Sequence, residues 1–456
     1  MFSSVKHIHF VGIGGIGMSG IAEILLSQGF TVSGSDMAAS DNTEYLRSLG
    51  AIIHIGHKEE NIHGAEVVVY SSAVRPDANP ETIAAHQLKI PVIRRAEMLA
   101  EVARLKYCLA ISGTHGKTST TSMCGLVLMH AGIDPTVIVG GRLRGLGGSN
   151  ARLGKGEWTV VEADEYDRSF LQLSPTIAVV TNIEAEHLDI YENLEDIKET
   201  FVKFLSEVPF YGSVVLCLDD PINREILHLI NKKVVTYGFS PHCDVRAVDS
   251  EFHERSSTST IYAFGKELGK LELQIPGTHN IKNALASVAV ALQLGIDYEV
   301  IATALKEFNG VLRRFEILGE HNDVLVVDDY AHHHTEVKAT LNAARNGWKR
   351  RIVSVFQPHT FTRTRDFVKE FGQAFDDADV LIVTDVYASR EKPIEGITGE
   401  LIANAARSYG HRNVHYVPNK QDLPGFIASV IQPNDLLISL GAGDINKYVS
   451  QYIPKN

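Results

Sequence analysis

The chain is poor in the features of secreted, membrane and nucleic-acid-binding proteins. It has only four cysteines, Cys108, Cys124, Cys217 and Cys243, in 456 residues. They form no CxxC pair or metal spacing, which excludes a disulfide framework or zinc module and predicts reduced thiols in a cytoplasmic protein. No apolar run approaches the length that spans a bilayer, and the first strand pattern begins too soon to leave room for a signal peptide. A soluble chain with no membrane partner is therefore expected. Positive charge is scarce too, with 43 Lys and Arg against 55 Asp and Glu, a formal net charge of −12. That balance argues against a nucleic-acid partner, because sequence-independent binding needs clustered cations. Low-complexity tracts are missing. What remains, 44% hydrophobic and 21% charged, is ordinary for a globular enzyme, and the length suggests about three domains.

Periodicity divides the chain accordingly. The strand patterns "KHIHFVGIG", "FTVSGSD" and "AEVVVYSSAV", with the helix "SGIAEILLSQG", predict a Rossmann-like unit over residues 1–104. A buried strand, a glycine-rich turn and a long helix in "KYCLAISGTHGKTSTTSMCGLVLMHAG" open a P-loop ATPase-like domain over 105–314. It continues through "EWTVVEAD" and "TIAVVTN", then more polar strands and the helix "NIKNALASVAVALQLG". Strands at "DVLVVDDY", "RIVSVFQ", "DVLIVTD", "NVHYVP" and "DLLISLG" alternate with helix-length segments, predicting a parallel sheet and a second Rossmann-like domain over 315–456. The fold class is α/β in three domains.

Two segments look built for phosphate. Gly12, Gly14 and Gly17 follow the first strand as G-x-G-x-x-G, and Asp36 ends the second, the layout of a dinucleotide on a helix N-terminus. "GTHGKT" places Gly113, Gly116, Lys117 and Thr118 between strand and helix. Its amides can turn to phosphate oxygens, with Lys117 as a mobile charge and Thr118 as a Mg²⁺ ligand. The match to the general P-loop is imperfect, since Ile111 stands where that pattern has its first glycine. Glu162 ends the strand "WTVVEAD" and His187 follows "IAVVTN", so both are candidates to join Thr118 around Mg²⁺.

In order, "GTHGKTST", "EADEYDRSF", "TNIEAEHLD", "PGTHNIKNALAS", "GVLRRFE" and "DDYAHHHTEV" resemble the ATP-dependent Mur ligases of peptidoglycan synthesis over essentially the whole chain. "GIGGIGMSG", "FQPHTFTRTRDF" and "DVYASREKPIEGITG" are similar to the members that add L-alanine to UDP-N-acetylmuramate; the alternative is the recycling member that adds a tripeptide. The resemblance implies that the first cradle holds the UDP of the sugar nucleotide rather than NAD, through Gly12, Gly14, Gly15, Gly17, Ser35, Asp36, Ser71 and Ser72. An oxidoreductase would leave the second cradle without work.

ATP is implied on Gly113, Thr114, His115, Gly116, Lys117, Thr118 and Ser119. His279 and Asn280 would flank adenine, and Arg314 and Asp329 would meet phosphate and ribose; helix capping is an alternative for Asn280, and Arg313 is as readily a solvated neighbour. Tyr330, His332, Arg363 and Arg365 are candidates for the amino acid, "TRTR" opening a helix that offers two guanidinium forks to a carboxylate. Lys117, Glu162, His187, His332 and Arg363 make up the expected catalytic set. The family usually reads His-His-Pro after "DDYA", where this chain has His332, His333 and His334. A cytoplasmic monomer or homodimer whose third domain closes over bound nucleotides is expected.

Overall fold

Short runs rich in Val and Ile, buried on both faces, form the centres of three sheets, as parallel strands covered by helices require. The computed structural model describes residues 5–71, 73–104, 106–140, 150–186, 190–389 and 391–454. The first sheet holds β1 (His7–Val11), β2 (Thr31–Asp36), β3 (Ile52–Ile55), β4 (Val67–Tyr70) and β5 (Val92–Arg94) in the order 3-2-1-4-5. All its pairings are parallel, so the chain reverses direction across the sheet beside β1, where such folds bind nucleotides.

The second sheet has ten strands: β6 (Tyr107–Ser112), β7 (Thr136–Ile138), β8 (Ala151–Arg152), β9 (Trp158–Glu162), β10 (Ile177–Val180), β11 (Ser213–Cys217), β12 (Val234–Gly238), β13 (Val245–His253), β14 (Ser256–Ala263) and β15 (Lys266–Leu273). Their order is 15-14-13-12-11-10-6-9-7-8. The polar segment after β12 forms strands because its burial alternates, as in "SSTSTIYA" of β14. The third sheet orders β16 (Glu316–His321), β17 (Val324–Asp329), β18 (Arg351–Phe356), β19 (Val380–Val383), β20 (Val414–Tyr416) and β21 (Asp435–Leu440) as 16-17-21-18-19-20. One correction belongs here: β16 pairs antiparallel with β17, through a register shift at Ile317/Gly319. Its sequence "EILGEH" is too polar to announce a strand, and as an edge strand it needs only one partner.

Contacts divide the chain into two compact units: Met1–Val248 with Thr260–Leu271 and Lys282–Phe308, and Asp249–Ser259 with Glu272–Ile281 and Asn309–Asn456. Within the first unit one apolar cluster runs from Ile8 and Phe10 of the first sheet to Phe170, Phe201 and Phe204 beside the second. Burying each such side chain contributes about 1.5–3 kcal/mol, so the first two sheets stabilise each other. Asn150 Nδ2 donates to Ile16 O across that junction. In the second unit, separate clusters around Phe356 and around Val353 and Leu437 pack against the third sheet. Among the described residues no helix is long and apolar enough to cross a membrane.

Candidate functional site

The first glycine-rich turn runs from β1 into the helix Ile16–Ser27. Its early amides are already bonded: Gly12 and Ile13 donate to Ser35 O at 2.8 and 3.0 Å, and Gly14 donates to Asp36 Oδ2 at 2.8 Å. Gly12 and Gly14, expected at the diphosphate, thus form a turn held against β2. Ile16 and Gly17 lie in the first turn after the Gly15 cap, where amides have no acceptor within the helix. A Cβ at Gly17 would stand 2.5 Å from Arg95 Nη1, so a side chain there would push the guanidinium aside. The geometry thus lays a guanidinium, unforeseen from sequence, over the helix start.

Ser35, expected near the ribose or uracil, lies inside the sheet. It is fully buried, its hydroxyl donates to Glu81 Oε2 at 2.5 Å and lies 2.8 Å from His57 Nδ1. It is part of the sheet's polar interior. Ser71 sits against Gly12; Ser72 lies outside the described residues.

The second turn joins β6 to the helix Lys117–His130. It is pinned to the segment after β10: Thr114 N donates to Asn182 O at 2.9 Å, His115 N to Asn182 Oδ1 at 2.8 Å, and Thr181 Oγ1 to His115 O at 2.6 Å. Gly116 caps the helix at φ +83°, a conformation side chains resist, and a Cβ there would meet Asn283 Oδ1 at 2.7 Å. Lys117 Nζ lies 2.8 and 2.9 Å from the two Glu165 oxygens. Burial works against its charge, but Glu165, Asp164 and Glu162 outweigh it and raise its pKa.

Thr118 Oγ1 donates to Glu162 Oε1 at 3.1 Å, and Glu162 Oε2 accepts from Gly140 N at 2.7 Å. Two hard oxygens thus converge beside the loop, a donor set that fits Mg²⁺. The third expected ligand, His187, lies outside the described residues. Ser119 is half-buried in the first turn of the helix.

In the second unit Asp329 ends β17 and turns both oxygens inward, to Phe315 N and Ala331 N at 2.7 Å each. Burial raises its carboxyl pKa to about 6, against the pull of Arg314. Asp329, expected at the ribose, thus holds two of the chain's own amides. Arg313 pairs with Asp328 at 3.0 Å and donates to Gly441 O at 2.8 Å, so it is a structural residue and not a solvated neighbour. Arg314 reaches Glu336 at 3.1 Å, and both guanidiniums lie over Tyr330.

His332 Nδ1 lies 3.0 Å from Tyr330 O and 3.1 Å from Glu336, and its ring meets that of His359 at 5.3 Å. Arg363 donates to His359 O at 3.0 Å. Tyr330, His332 and Arg363 are thereby linked through His359. Arg365 is not: it is exposed and paired with Asp366 at 2.7 Å. The helix carrying Asn280 already begins at Thr278, so Asn280 sits in its first turn and donates back to Pro276 O at 2.7 Å. His279 packs against Gly277 in the same turn.

Three family models match in succession: "Mur ligase family, catalytic domain" over residues 7–107, "Mur ligase middle domain" over 111–291 and "Mur ligase, glutamate ligase domain" over 313–443. The UDP-N-acetylmuramate–L-alanine ligase of Trichlorobacter lovleyi is 53% identical, covering 98% of each chain. The chain belongs to the Mur ligase family. The enzyme of the same name from Geotalea daltonii is 51% identical over 100% of this Mur ligase and 99% of its own length. The crystal structure of UDP-N-acetylmuramate-alanine ligase from Thermotoga maritima is 32% identical, with a TM-score of 0.82 and 98% of each chain covered. A murein peptide ligase from Psychrobacter arcticus, at 23% identity and TM-score 0.71, shares the fold.

Sequence reasoning about this Mur ligase missed Asn182 and Glu165, which hold the P-loop, Asn283, which packs against Gly116, and Glu391. The last accepts from Thr362 N at 3.0 Å and Thr360 Oγ1 at 2.8 Å, fixing the start of the short helix that bears Arg363. The only available signal was an acid within "YASREKP", far away in the chain from the threonines it binds.

Proposed function

We propose that this Mur ligase joins L-alanine to the lactoyl carboxylate of UDP-N-acetylmuramate, with ATP converting that carboxylate to an acyl phosphate. The observation that carries the reading is the full-length match, at 53% and 51% identity, to enzymes of that name. Two phosphate cradles within one unit support it, because the reaction uses two nucleotides. A carboxylate oxygen is a very poor leaving group. Transfer of a phosphoryl group makes it a good one, and the amine of L-alanine then displaces phosphate through a tetrahedral intermediate.

Positioning and charge neutralisation dominate such chemistry. In this reading the helix start at Ile16 and Gly17, with Arg95, holds the diphosphate, and Lys117 meets the β- and γ-phosphates. Thr118 and Glu162, with His187, would hold Mg²⁺, which supplies neutralisation of phosphate charge. Arg363 would meet the amino acid's carboxylate, with His332 on the far side of His359. All four cysteines are free and buried, which suits a reducing cytoplasm.

The test is phosphate release from Mg–ATP and UDP-N-acetylmuramate, with L-alanine, with the murein tripeptide, or with neither. The expected result is release that needs L-alanine, with the new amide seen by mass. Release only with the tripeptide would overturn the assignment in favour of the recycling reaction.

A further inference from the structure

Lys117 has no donor to spare. Its ammonium carries three N–H bonds, while four acceptors surround Nζ: Glu165 Oε2 and Oε1 at 2.8 and 2.9 Å, Gly113 O at 2.6 Å and Thr114 O at 3.1 Å. Glu165 is 3% exposed, and its backbone is anchored on both sides. Its carbonyl accepts from the Tyr191 hydroxyl at 2.6 Å and from Arg168 N at 3.0 Å. Arg168 in turn pairs with Asp196 and lies over the Tyr191 ring. The carboxylate is thus a built feature of the loop and not a side chain resting by chance on a nearby cation. A triphosphate entering the P-loop finds its lysine engaged and a buried negative charge on the same nitrogen.

We propose that Glu165 is a positioning residue, a resident counter-anion that occupies the P-loop lysine in the nucleotide-free enzyme and exchanges it for phosphate oxygens when ATP binds. This rests on the reading of Lys117 as the phosphate ligand. A lysine buried without a partner is unfavourable, so the acid keeps it charged and folded over its own loop until the ligand arrives. Burial raises the Glu165 carboxyl pKa to about 7 against the pull of Lys117. A carboxylate that has released its lysine can therefore take a proton from water and not stand bare beside the phosphates. The exchange lowers affinity, because ATP binds fully only to the fraction of molecules whose lysine is available.

The experiment is titration calorimetry of Mg–ATP against the full-length wild type, Glu165→Gln, Lys117→Met and the double variant, each checked for folding by circular dichroism. Glu165→Gln is expected to tighten ATP by about three- to tenfold, and Lys117→Met to weaken it by at least about tenfold. In the Lys117→Met background the Glu165→Gln gain should vanish, as a double-mutant cycle requires of a coupled pair. Equal or weaker binding by folded Glu165→Gln means a merely structural acid and overturns the proposal alone. A gain that persists without Lys117 means a general field effect and overturns it too. Unchanged ATP binding by Lys117→Met would defeat the reading of the lysine itself, and the proposal with it. Should Glu165→Gln not fold, Glu165→Asp keeps the charge but withdraws it from Nζ. It is expected to shift affinity in the same direction by a smaller factor, and the opposite shift overturns the proposal.

Discussion

Glu81 shows how much one buried acid can carry. It is fully buried beneath the first sheet, with Ser35, Asn61, His57 and His9 around its oxygens. Burial pushes its pKa up, but the nearby His9 ring and the hydrogen bonds from Ser35 and Asn61 win and bring it to about 2. An acid with a depressed folded pKa contributes stability that is complete above its unfolded value, near 4.5, and drains away as pH falls toward 2. His9 adds to the acid sensitivity: burial lowers its pKa below the ordinary value, so protonation below about 6.5 favours the unfolded chain. Glu81→Gln is expected to destabilise the protein at pH 7. Its gap from wild type should narrow by about 1.4 kcal/mol per pH unit below 4.5, read as urea midpoints between pH 7 and 3.5. A constant gap would mean that Glu81 is not charged in the fold.

The interior bonds of Ser35 in this network were not legible in the sequence. A serine at the end of a strand before a loop reads as a ligand contact, and only the distant Glu81 and His57 reveal an interior one. The P-loop was legible because its chemistry is contiguous in sequence, whereas its clamps, Asn182 and Glu165, and its neighbour Asn283 are brought to it by the fold.

Among elements, the helix His334–Gly347 answers the departure from His-His-Pro. Its N-terminus is closed by Glu336, which accepts from His332 N at 3.1 Å and His333 N at 3.4 Å. The turn is therefore held without proline. His334 is the first helical residue, where proline's missing N–H costs least, and His333 before it is extended at φ −101° and ψ 147°, as a residue preceding proline must be. His334→Pro is expected to change unfolding free energy by no more than about 1 kcal/mol, with KM for L-alanine unaltered. A larger loss would assign the His334 ring, 5.4 Å from Phe367 and 5.9 Å from Phe371, a packing role that the turn geometry does not reveal. Parallel strands were readable as apolar runs; β16, polar and at an edge, was not, because its partner rather than its composition makes it a strand.

At the scale of the whole molecule, two compact units predict unfolding that is not two-state. Differential scanning calorimetry should resolve two transitions. UDP at about 100 times its Kd should add about 2.7 kcal/mol to the unit that holds the first glycine-rich turn and leave the other transition in place. A single transition that shifts as one would show that the units unfold together.

The third sheet has its own bearing on how the protein is born. Its inner strand, β21 between β17 and β18, follows the sheet's five other strands in sequence. On the ribosome β17 and β18 are made first and wait, each with a bare edge, until β21 has been read and has cleared the exit tunnel. A premature stop before β21 would therefore remove the middle of this sheet. The nascent chain is left with sticky strand edges of the kind that chaperones exist to shield.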